Sequence, residues 1–222
     1  DLIEWMSCMT YQAASGGGAK HMRELVQQMA MLGNKSADLL ADPSSNIVPL
    51  DQRVTDTLRS DEMPTANFGA PLAASLLPWI DTPMEEGDTR EERKAFDEGN
   101  KIFGRSDNPI PIESICVRVG AMRCHSQAFT IKLRQDVPLA EIEGMLDGAN
   151  DWVHLIHNDK ESTLSRLTPT AVTGTLDIPV GRVRKTRLGN NFISAFTVGD
   201  QLLWGAAEPL RRMLQILRTG GA

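Results

Sequence analysis

The sequence lacks the features that mark several large classes of protein. It has only three cysteines, Cys8, Cys116 and Cys124, and their odd number and spacing suit neither a zinc site nor a disulfide framework, so no metal is expected. It has no apolar run near the roughly 18 residues that a membrane helix needs, and no signal-peptide pattern. A reducing cytoplasm is the setting that these absences favour.

The sequence also lacks an excess of basic residues. Its 23 Lys and Arg stand against 29 Asp and Glu, a net charge of −6, which argues against nucleic acid or an anionic membrane as the main partner. It has no initiator Met, and Asp1 runs directly into an apolar segment, so we predict a fragment or processed product of a longer chain. Its 222 residues, 41% of them hydrophobic, suffice for a real core.

Apolar periodicity predicts a mixture of strands and helices. Strands are expected over residues 5–12, 115–119, 125–133, 171–176, 180–183 and 192–198. Helices are expected after Gly18 to about Gly33, from Thr89 to Ile102, over 139–146, and from Asp200 onward with a kink at Pro209. The strands are too closely spaced for parallel crossovers, which predicts an α+β fold with a mixed, largely antiparallel sheet flanked by helices. Residues 1–199 would form the domain and 200–222 a terminal helix.

The first segment suited to chemistry runs from Thr10 to Gly18, with the sequence TYQAASGGG. A strand that leads through a glycine-rich turn into a helix leaves backbone N–H groups free to bind an anion, and the helix dipole adds to that attraction. Such a turn suits a phosphate or a nicotinamide nucleotide. It is not the Gly-x-Gly-x-x-Gly dinucleotide motif, and a tight turn that needs positive φ is an equally good interpretation.

The second segment is the predicted helix that begins after Thr89. Glu92 follows Thr89 at the spacing of a capping box, and Glu91 and Lys94 lie three residues apart on one helical face. Together Glu91 and Lys94 could grip a zwitterionic or phosphorylated small molecule. From the pattern alone, a solvated pair of charges is the better interpretation.

The third segment runs from Val117 to Gln127 and contains Arg118 and His125. An arginine in an otherwise apolar strand is costly unless it has an anionic partner, and its planar guanidinium can hold a carboxylate at two points. His125 begins the next strand, where a turn at Gly120 would bring it towards the same cleft as a general base. A purely structural histidine is the alternative.

Residues 11–19, 117–129 and 196–210 closely resemble bacterial aspartate-semialdehyde dehydrogenases, nearest to the proteobacterial branch. The resemblance implies NADPH-dependent reductive dephosphorylation of L-aspartyl 4-phosphate to L-aspartate 4-semialdehyde, through a cysteine thioacyl intermediate. That step leads to diaminopimelate, lysine, threonine, methionine and isoleucine. The resemblance also implies a homodimer and a fold like the second domain of glyceraldehyde-3-phosphate dehydrogenase. Residues 1–199 would then be the substrate-binding and dimerisation domain, and the helix at 200–222 would pack on the absent nucleotide-binding domain.

The resemblance assigns roles to matched residues. His125 would be the acid/base, Arg118 the clamp on the substrate α-carboxylate, Glu91 the partner of the substrate ammonium, and Lys94 a phosphate ligand. Gln12 would orient the bound acyl group. The part of the NADP site contributed by this chain would comprise Ser15, Gly16, Gly17, Gly18, Ala19, Pro43 and Gln201.

The sequence departs from the family in lacking the nucleotide-binding glycine turn and the Asn-Cys-Thr segment with the catalytic cysteine. Cys8 stands only four positions before Gln12, and Cys116 and Cys124 lie beside the Arg–His motif, so none should be the nucleophile. The chain alone is therefore expected to have no dehydrogenase activity. Two alternatives remain open: a related acyl-phosphate reductase such as N-acetylglutamyl-phosphate reductase, and a non-catalytic dimerisation module.

Overall fold

A computed structural model describes residues 2–220 and contains a seven-stranded sheet in the order β2-β3-β1-β4-β7-β6-β5. The strands are β1 (Ile3–Gln12), β2 (Leu76–Leu77), β3 (Ile112–Val119), β4 (Cys124–Leu133), β5 (Val153–Leu155), β6 (Ile178–Thr186) and β7 (Gly189–Asp200). The helices are α1 (Ala19–Lys35), α2 (Ala37–Ala41), α3 (Ile47–Leu58), α4 (Arg90–Ile102), α5 (Leu139–Asp147), α6 (Lys160–Arg166), α7 (Pro169–Val172) and α8 (Glu208–Thr219).

The sheet is mixed. β1 runs parallel to β3 and β5 runs parallel to β6, whereas the β1/β4, β4/β7, β6/β7 and β2/β3 pairs are antiparallel. The predicted α+β fold with a largely antiparallel sheet is therefore confirmed. The β1/β3 pair became parallel because the chain between them, which includes α1 to α4, is long enough to return to the same end of the sheet.

The two faces of the sheet are covered differently. On one face, α4 and α5 pack over the central strands, where Ile131 joins the cluster under α4 and, with Ile193, the cluster under α5. On the other face, α7 and neighbouring loops cover Cys124 and Val198, with Phe196 packed against them. The rest of that second face leaves Tyr11 and Ile115 exposed, which is unusual for the centre of a sheet.

Two local predictions differ from the structure. The strand predicted over 171–176 is wrong, because Thr168 caps α7 through its hydroxyl and Pro169 occupies the first turn, where a helix tolerates proline. The closing helix begins near Asp200 as predicted, but it includes a π-helical segment at Leu203–Ala207, and Pro209 lies in the first turn of α8 directly after that segment. Between residues 2 and 220 no helix combines the length and apolar character needed to cross a membrane.

Candidate active site

Three neighbouring strands bring Gln12, Arg118 and His125 to one edge of the sheet. Gln12 and Arg118 are direct partners in the β1/β3 register. Tyr11 pairs with Ser126 in the β1/β4 register, so the next position sets His125 beside Gln12. Side chains at paired positions share a face of the sheet. The structure thus brings together three residues that the sequence had singled out from two separate segments.

The turn after β1 lies over this edge and binds both Arg118 and His125. The Ala13 N–H donates to His125 Nδ1 at 3.2 Å, and Arg118 Nη1 donates to the Ala13 carbonyl oxygen at 2.8 Å. A Cβ atom at Gly16 would lie 2.7 Å from Arg118 Nη1 and 3.4 Å from His125 Nε2. One residue, Ala13, therefore fixes both side chains through its backbone, and the absence of a side chain at Gly16 lets the turn approach them.

His125 is held as a neutral imidazole. Burial, and then the positive charge of Arg118, lower the pKa of His125 from 6.5 to about 4, against a smaller opposing effect of Glu91. Because Nδ1 accepts the Ala13 N–H, the proton of the neutral ring is on Nε2, the atom that faces Gly16. The ring thus presents a hydrogen-bond donor to the cleft at neutral pH.

Helix α4 supplies Glu91 and Lys94. Lys94 Nζ lies 2.8 Å from Glu91 Oε2, and Gln12 Nε2 donates to Glu91 Oε1 at 3.1 Å, which joins the helix to the strand edge. The hydrogen bond to Glu91 raises the pKa of Lys94, so the ammonium stays charged. The predicted pair is therefore neither isolated nor free in solvent, since Glu91 also contacts the site through Gln12.

Burial lowers the pKa of Arg118 from 12.5, with Glu91 and Cys116 opposing the shift. A guanidinium remains charged in proteins even so. Arg118 is only 9% exposed, and among the described residues the hydrogen bond of its guanidinium is to the Ala13 carbonyl oxygen rather than to a carboxylate. A desolvated cation without a direct anionic partner is what an anionic ligand would bind most strongly.

The residues expected to bind a nucleotide lie in three places: the turn after β1, the segment at Gln201, and the loop at Pro43. Ser15 is buried and Gly18 has φ 89°, a conformation that favours glycine, so the turn ends where the N-terminus of α1 opens at Ala19. Gln201 lines a cavity of about 380 Å³ together with His125 and Trp204, and its buried Oε1 has no hydrogen-bond partner within the described chain. Pro43 lies apart, in an exposed turn after α2.

A second cavity, of about 340 Å³, extends under α4 from Gln12, Glu91 and Lys94 along the apolar face of β1. Cys8 and Cys116 line it, but burial raises the pKa of Cys8 to about 12 and also raises the pKa of Cys116. Burial raises the pKa of Cys124 as well. Protonated, buried thiols are poor nucleophiles, which agrees with the expectation that none of the three acts as one.

Sequence analysis missed two residues beside the site, Arg123 and Asp200. Their side chains form an ion pair at 2.8 Å, and Asp200 is fully buried. His21, which the sequence pattern does not single out, is half-buried, packs edge-on against Phe68 with 4.8 Å between ring centroids, and lies against Gly17. Neither the Arg123–Asp200 ion pair nor the His21–Phe68 contact could be predicted from sequence periodicity, because each joins residues from different segments.

The site therefore combines two cations, a carboxylate and a neutral imidazole beside a glycine-rich turn. Fixed charges of both signs a few ångströms apart suit a small ligand that itself carries an ammonium and acidic groups. The geometry thus defines a class of domain suited to small zwitterionic metabolites at a sheet edge, and the described residues carry no activated thiol.

Comparisons with known proteins agree with this class. Residues 1–204 match the family described as semialdehyde dehydrogenase, dimerisation domain. An aspartate semialdehyde dehydrogenase from Francisella tularensis is 45% identical, with a TM-score of 0.91 over 98% of this chain and 58% of that chain. Aspartate semialdehyde dehydrogenase II from Vibrio cholerae, complexed with ASA, is 26% identical, with a TM-score of 0.75 over 97% of this chain and 55% of that chain.

A more distant structure, aspartate semialdehyde dehydrogenase with NADP from Candida albicans, is 14% identical with a TM-score of 0.51 and shows the fold alone. The chain belongs to the semialdehyde dehydrogenase family and corresponds to its dimerisation domain. It spans a little over half the length of the two closer structures, 58% and 55%. The resemblance on which the sequence interpretation rested is thereby confirmed.

Proposed function

We propose that this chain is the substrate-binding and dimerisation part of an aspartate-semialdehyde dehydrogenase that converts L-aspartyl 4-phosphate to L-aspartate 4-semialdehyde with NADPH. One observation carries the proposal: Arg118, His125 and Gln12 meet at one sheet edge, and Glu91 joins them through Gln12. The reaction would serve the biosynthesis of diaminopimelate, lysine, threonine, methionine and isoleucine. A cytoplasmic setting suits its three free cysteines.

The charges of the site fit the groups of the substrate. Arg118 would hold the α-carboxylate through its planar guanidinium, whose Nη1 also donates to the Ala13 carbonyl oxygen. Glu91 would take the ammonium, which displaces Lys94 from its present ion pair and leaves it free to bind the phosphate. Gln12, which now donates to Glu91, would orient the acyl group.

His125 would act as the acid/base of the reaction. With its proton on Nε2, the neutral ring can donate a hydrogen bond to an oxygen in the cleft. To accept a proton from a thiol, the ring must use the lone pair of Nδ1, which requires the Ala13 hydrogen bond to break, or it must exchange its tautomer so that Nε2 carries the lone pair. The resting structure therefore presents the neutral, base form of the ring, with a hydrogen-bond donor directed at the cleft.

The turn Ser15–Ala19, with Pro43 and Gln201, is proposed as this chain's share of the NADP site. The partnerless Oε1 of Gln201 beside the cavity fits the group, because a nicotinamide carboxamide offers the N–H that this oxygen lacks. NADPH, when bound, supplies the hydride. The division into residues 1–199 and a terminal helix at 200–222 belongs to the same proposal, and Asp1, Gly221 and Ala222 lie outside the described residues.

Calorimetric titration with L-aspartate 4-semialdehyde and inorganic phosphate tests the binding roles. Arg118→Lys should weaken binding of the semialdehyde about tenfold or more, because a bidentate contact becomes a single one. Arg59→Lys, at an exposed arginine of the same charge, should leave it unchanged. Tighter binding of an N-acetylated analogue would favour an N-acetylglutamyl-phosphate reductase instead, since an acetamido group does not need Glu91.

The chain alone should not turn over. NADP reduction with semialdehyde and phosphate is expected to stay at the level of a control whose cysteines are chemically blocked, since the thiols of Cys8, Cys116 and Cys124 are buried and protonated. Turnover clearly above that control would contradict this part of the proposal. Binding of neither semialdehyde nor phosphate would leave only a non-catalytic dimerisation module.

A further inference from the structure

A buried ion pair lies at the start of β4, the strand that carries His125. Arg123 Nε is 2.8 Å from Asp200 Oδ2 and 3.1 Å from Oδ1, and Asp200 has 0% exposure. The same carboxylate accepts the backbone N–H groups of Gly174 at 2.7 Å and Leu202 at 3.0 Å. A carboxylate is costly to bury, and here each of its oxygens is satisfied several times.

The pair joins three segments that carry site residues. Arg123 immediately precedes β4, whose second residue is His125, and Cys124 pairs directly with Asp200 across the β4/β7 ladder. The Arg123 carbonyl oxygen accepts the Gln201 N–H at 3.0 Å and the Ser15 hydroxyl at 3.4 Å. The turn at Ser15, the start of β4 and the segment at Gln201 are therefore held by one residue.

The arrangement does more to fix geometry than to add stability. An ion pair buried in this way contributes little net free energy compared with an apolar pair of the same size. It does, however, permit only one relative position of the two strand ends, since the guanidinium must meet a carboxylate that three backbone N–H groups already bind. The cavity that contains His125 and Gln201 opens at this point.

We propose that Arg123 and Asp200 are positioning residues, which set the imidazole of His125 against the Ala13 peptide and beside Gln201 in the cavity. They touch neither substrate nor cofactor themselves. The catalytic meaning of this placement rests on the proposed function, but the placement itself is a property of this chain that can be measured without turnover.

The test is a titration of the four histidines by NMR in the 222-residue chain. Asp200→Asn keeps an acceptor for the backbone N–H groups but loses the charge, and Arg123→Met removes the guanidinium. Both should raise the pKa of His125 from about 4 towards 6.5, by about one unit, because a loosened strand end admits water to the ring. Arg118 and Glu91, the charged groups that act on the ring, are untouched in both variants.

Lys132→Met is the matched control. Lys132 lies at the other end of the same strand and pairs with Glu4 at 2.8 Å. The Lys132→Met variant therefore loses an ion pair without disturbing the start of β4. Its His125 titration should match that of the unchanged chain. Arg123→Lys, which retains the charge, should give an intermediate shift.

The proposal is overturned if Asp200→Asn and Arg123→Met fold and the titration of His125, with its Nδ1 chemical shift, stays unchanged. An equal shift in Lys132→Met would also overturn it, since any lost ion pair would then suffice. Should Arg123→Met not fold, Asp200→Asn and Arg123→Lys decide the question. Failure to bind semialdehyde would remove the proposed function but leave this titration result standing.

Discussion

Burial of His125 has a consequence for stability as well as for chemistry. The pKa of His125 is about 4 in the folded chain and 6.5 as the reference value for an exposed ring. The unfolded chain therefore takes up this proton below about pH 6.5, whereas the folded chain does so only near pH 4. The contribution of the neutral His125 ring to the free energy of unfolding is fully present above pH 6.5 and is lost as the pH falls to about 4.

We predict that His125→Gln, which keeps an acceptor for the Ala13 N–H, abolishes most of this pH dependence. The pKa shift of His125 is equivalent to a change of about 3 kcal/mol in the free energy of unfolding between pH 6.5 and 4. Denaturant melts at several pH values measure it. His157→Gln, at an exposed histidine, should retain the full slope, and a slope equal in both variants would contradict the burial argument.

Glycines at two positions of the same turn should differ in their effects. Gly16→Ala places a Cβ 2.7 Å from Arg118 Nη1, which is the flexible end of its side chain, so the guanidinium must move while the fold survives. Binding of semialdehyde should weaken about tenfold, or 1.4 kcal/mol. Gly18→Ala meets no atom within 4 Å but has φ +89°, so it should cost about 1 kcal/mol of stability and spare binding. The reverse pattern would exclude the proposed contact.

At the residue scale, sequence reasoning succeeded where chemistry follows from neighbours in the chain. Arg118 in an apolar strand and Glu91 with Lys94 on one helical face were identifiable from short-range pattern. Arg123 and Asp200 were not, since 77 residues separate them and each is unremarkable alone. Only the β4/β7 register, which a single sequence does not specify, makes them neighbours.

Helix α4 is joined to the sheet by a residue that the sequence assigned only to its cap. Glu92 Oε2 accepts the Thr89 N–H at 2.8 Å in the predicted capping box, and Glu92 Oε1 accepts the Cys116 N–H of β3 at 3.0 Å. The strand that carries Arg118 and the helix that carries Glu91 and Lys94 are thus held together through one carboxylate.

We therefore predict that Glu92→Ala lowers the free energy of unfolding by about 2 kcal/mol, because it removes the cap and leaves a strand N–H unpaired. Phosphate binding should weaken with it, since Lys94 loses its fixed distance to Arg118. Glu98→Ala, on an exposed part of the same helix, should change stability by no more than about 0.5 kcal/mol. Thermal melts and calorimetry make the comparison, and equal losses would argue against the link.

The elements themselves were predictable where amphipathic pattern and capping agree, as in α4, whose Thr89 and Glu92 gave its start. The segment 171–176 was not, because its apolar residues fit a strand as well as the short helix α7, and tertiary packing of Val172 under β7 decided the outcome. The π-helical segment at Leu203–Ala207 was also beyond pattern reasoning, since it reflects the fit of Trp204, whose indole donates to the Leu176 carbonyl oxygen at 3.2 Å.

Among the described residues, two of the exposed apolar surfaces bear on association. One is the open sheet face, where Ile115 is 49% exposed beside Tyr11. The other is the outer face of α8, where Leu210 is 74% and Leu217 73% exposed. The inner face of α8 is fixed to the domain, since the guanidinium of Arg212 lies 4.3 Å from the ring of Trp152. Surfaces of this kind mark association sites.

We propose that the sheet face forms the homodimer, as expected of a dimerisation domain, and that α8 adds further self-association of this chain. Ile115→Lys should convert the dimer to a monomer or to pairs joined only through α8, because it puts a charge in the centre of the sheet face. Leu210→Ser with Leu217→Ser should remove the larger species and leave the dimer. Leu188→Lys, at an exposed turn between β6 and β7, is the control for added charge. Sedimentation velocity across a concentration series separates these cases. A clean monomer for the unchanged chain would contradict association through either surface, and loss of the dimer in the α8 variant alone would reassign the interface to the helix.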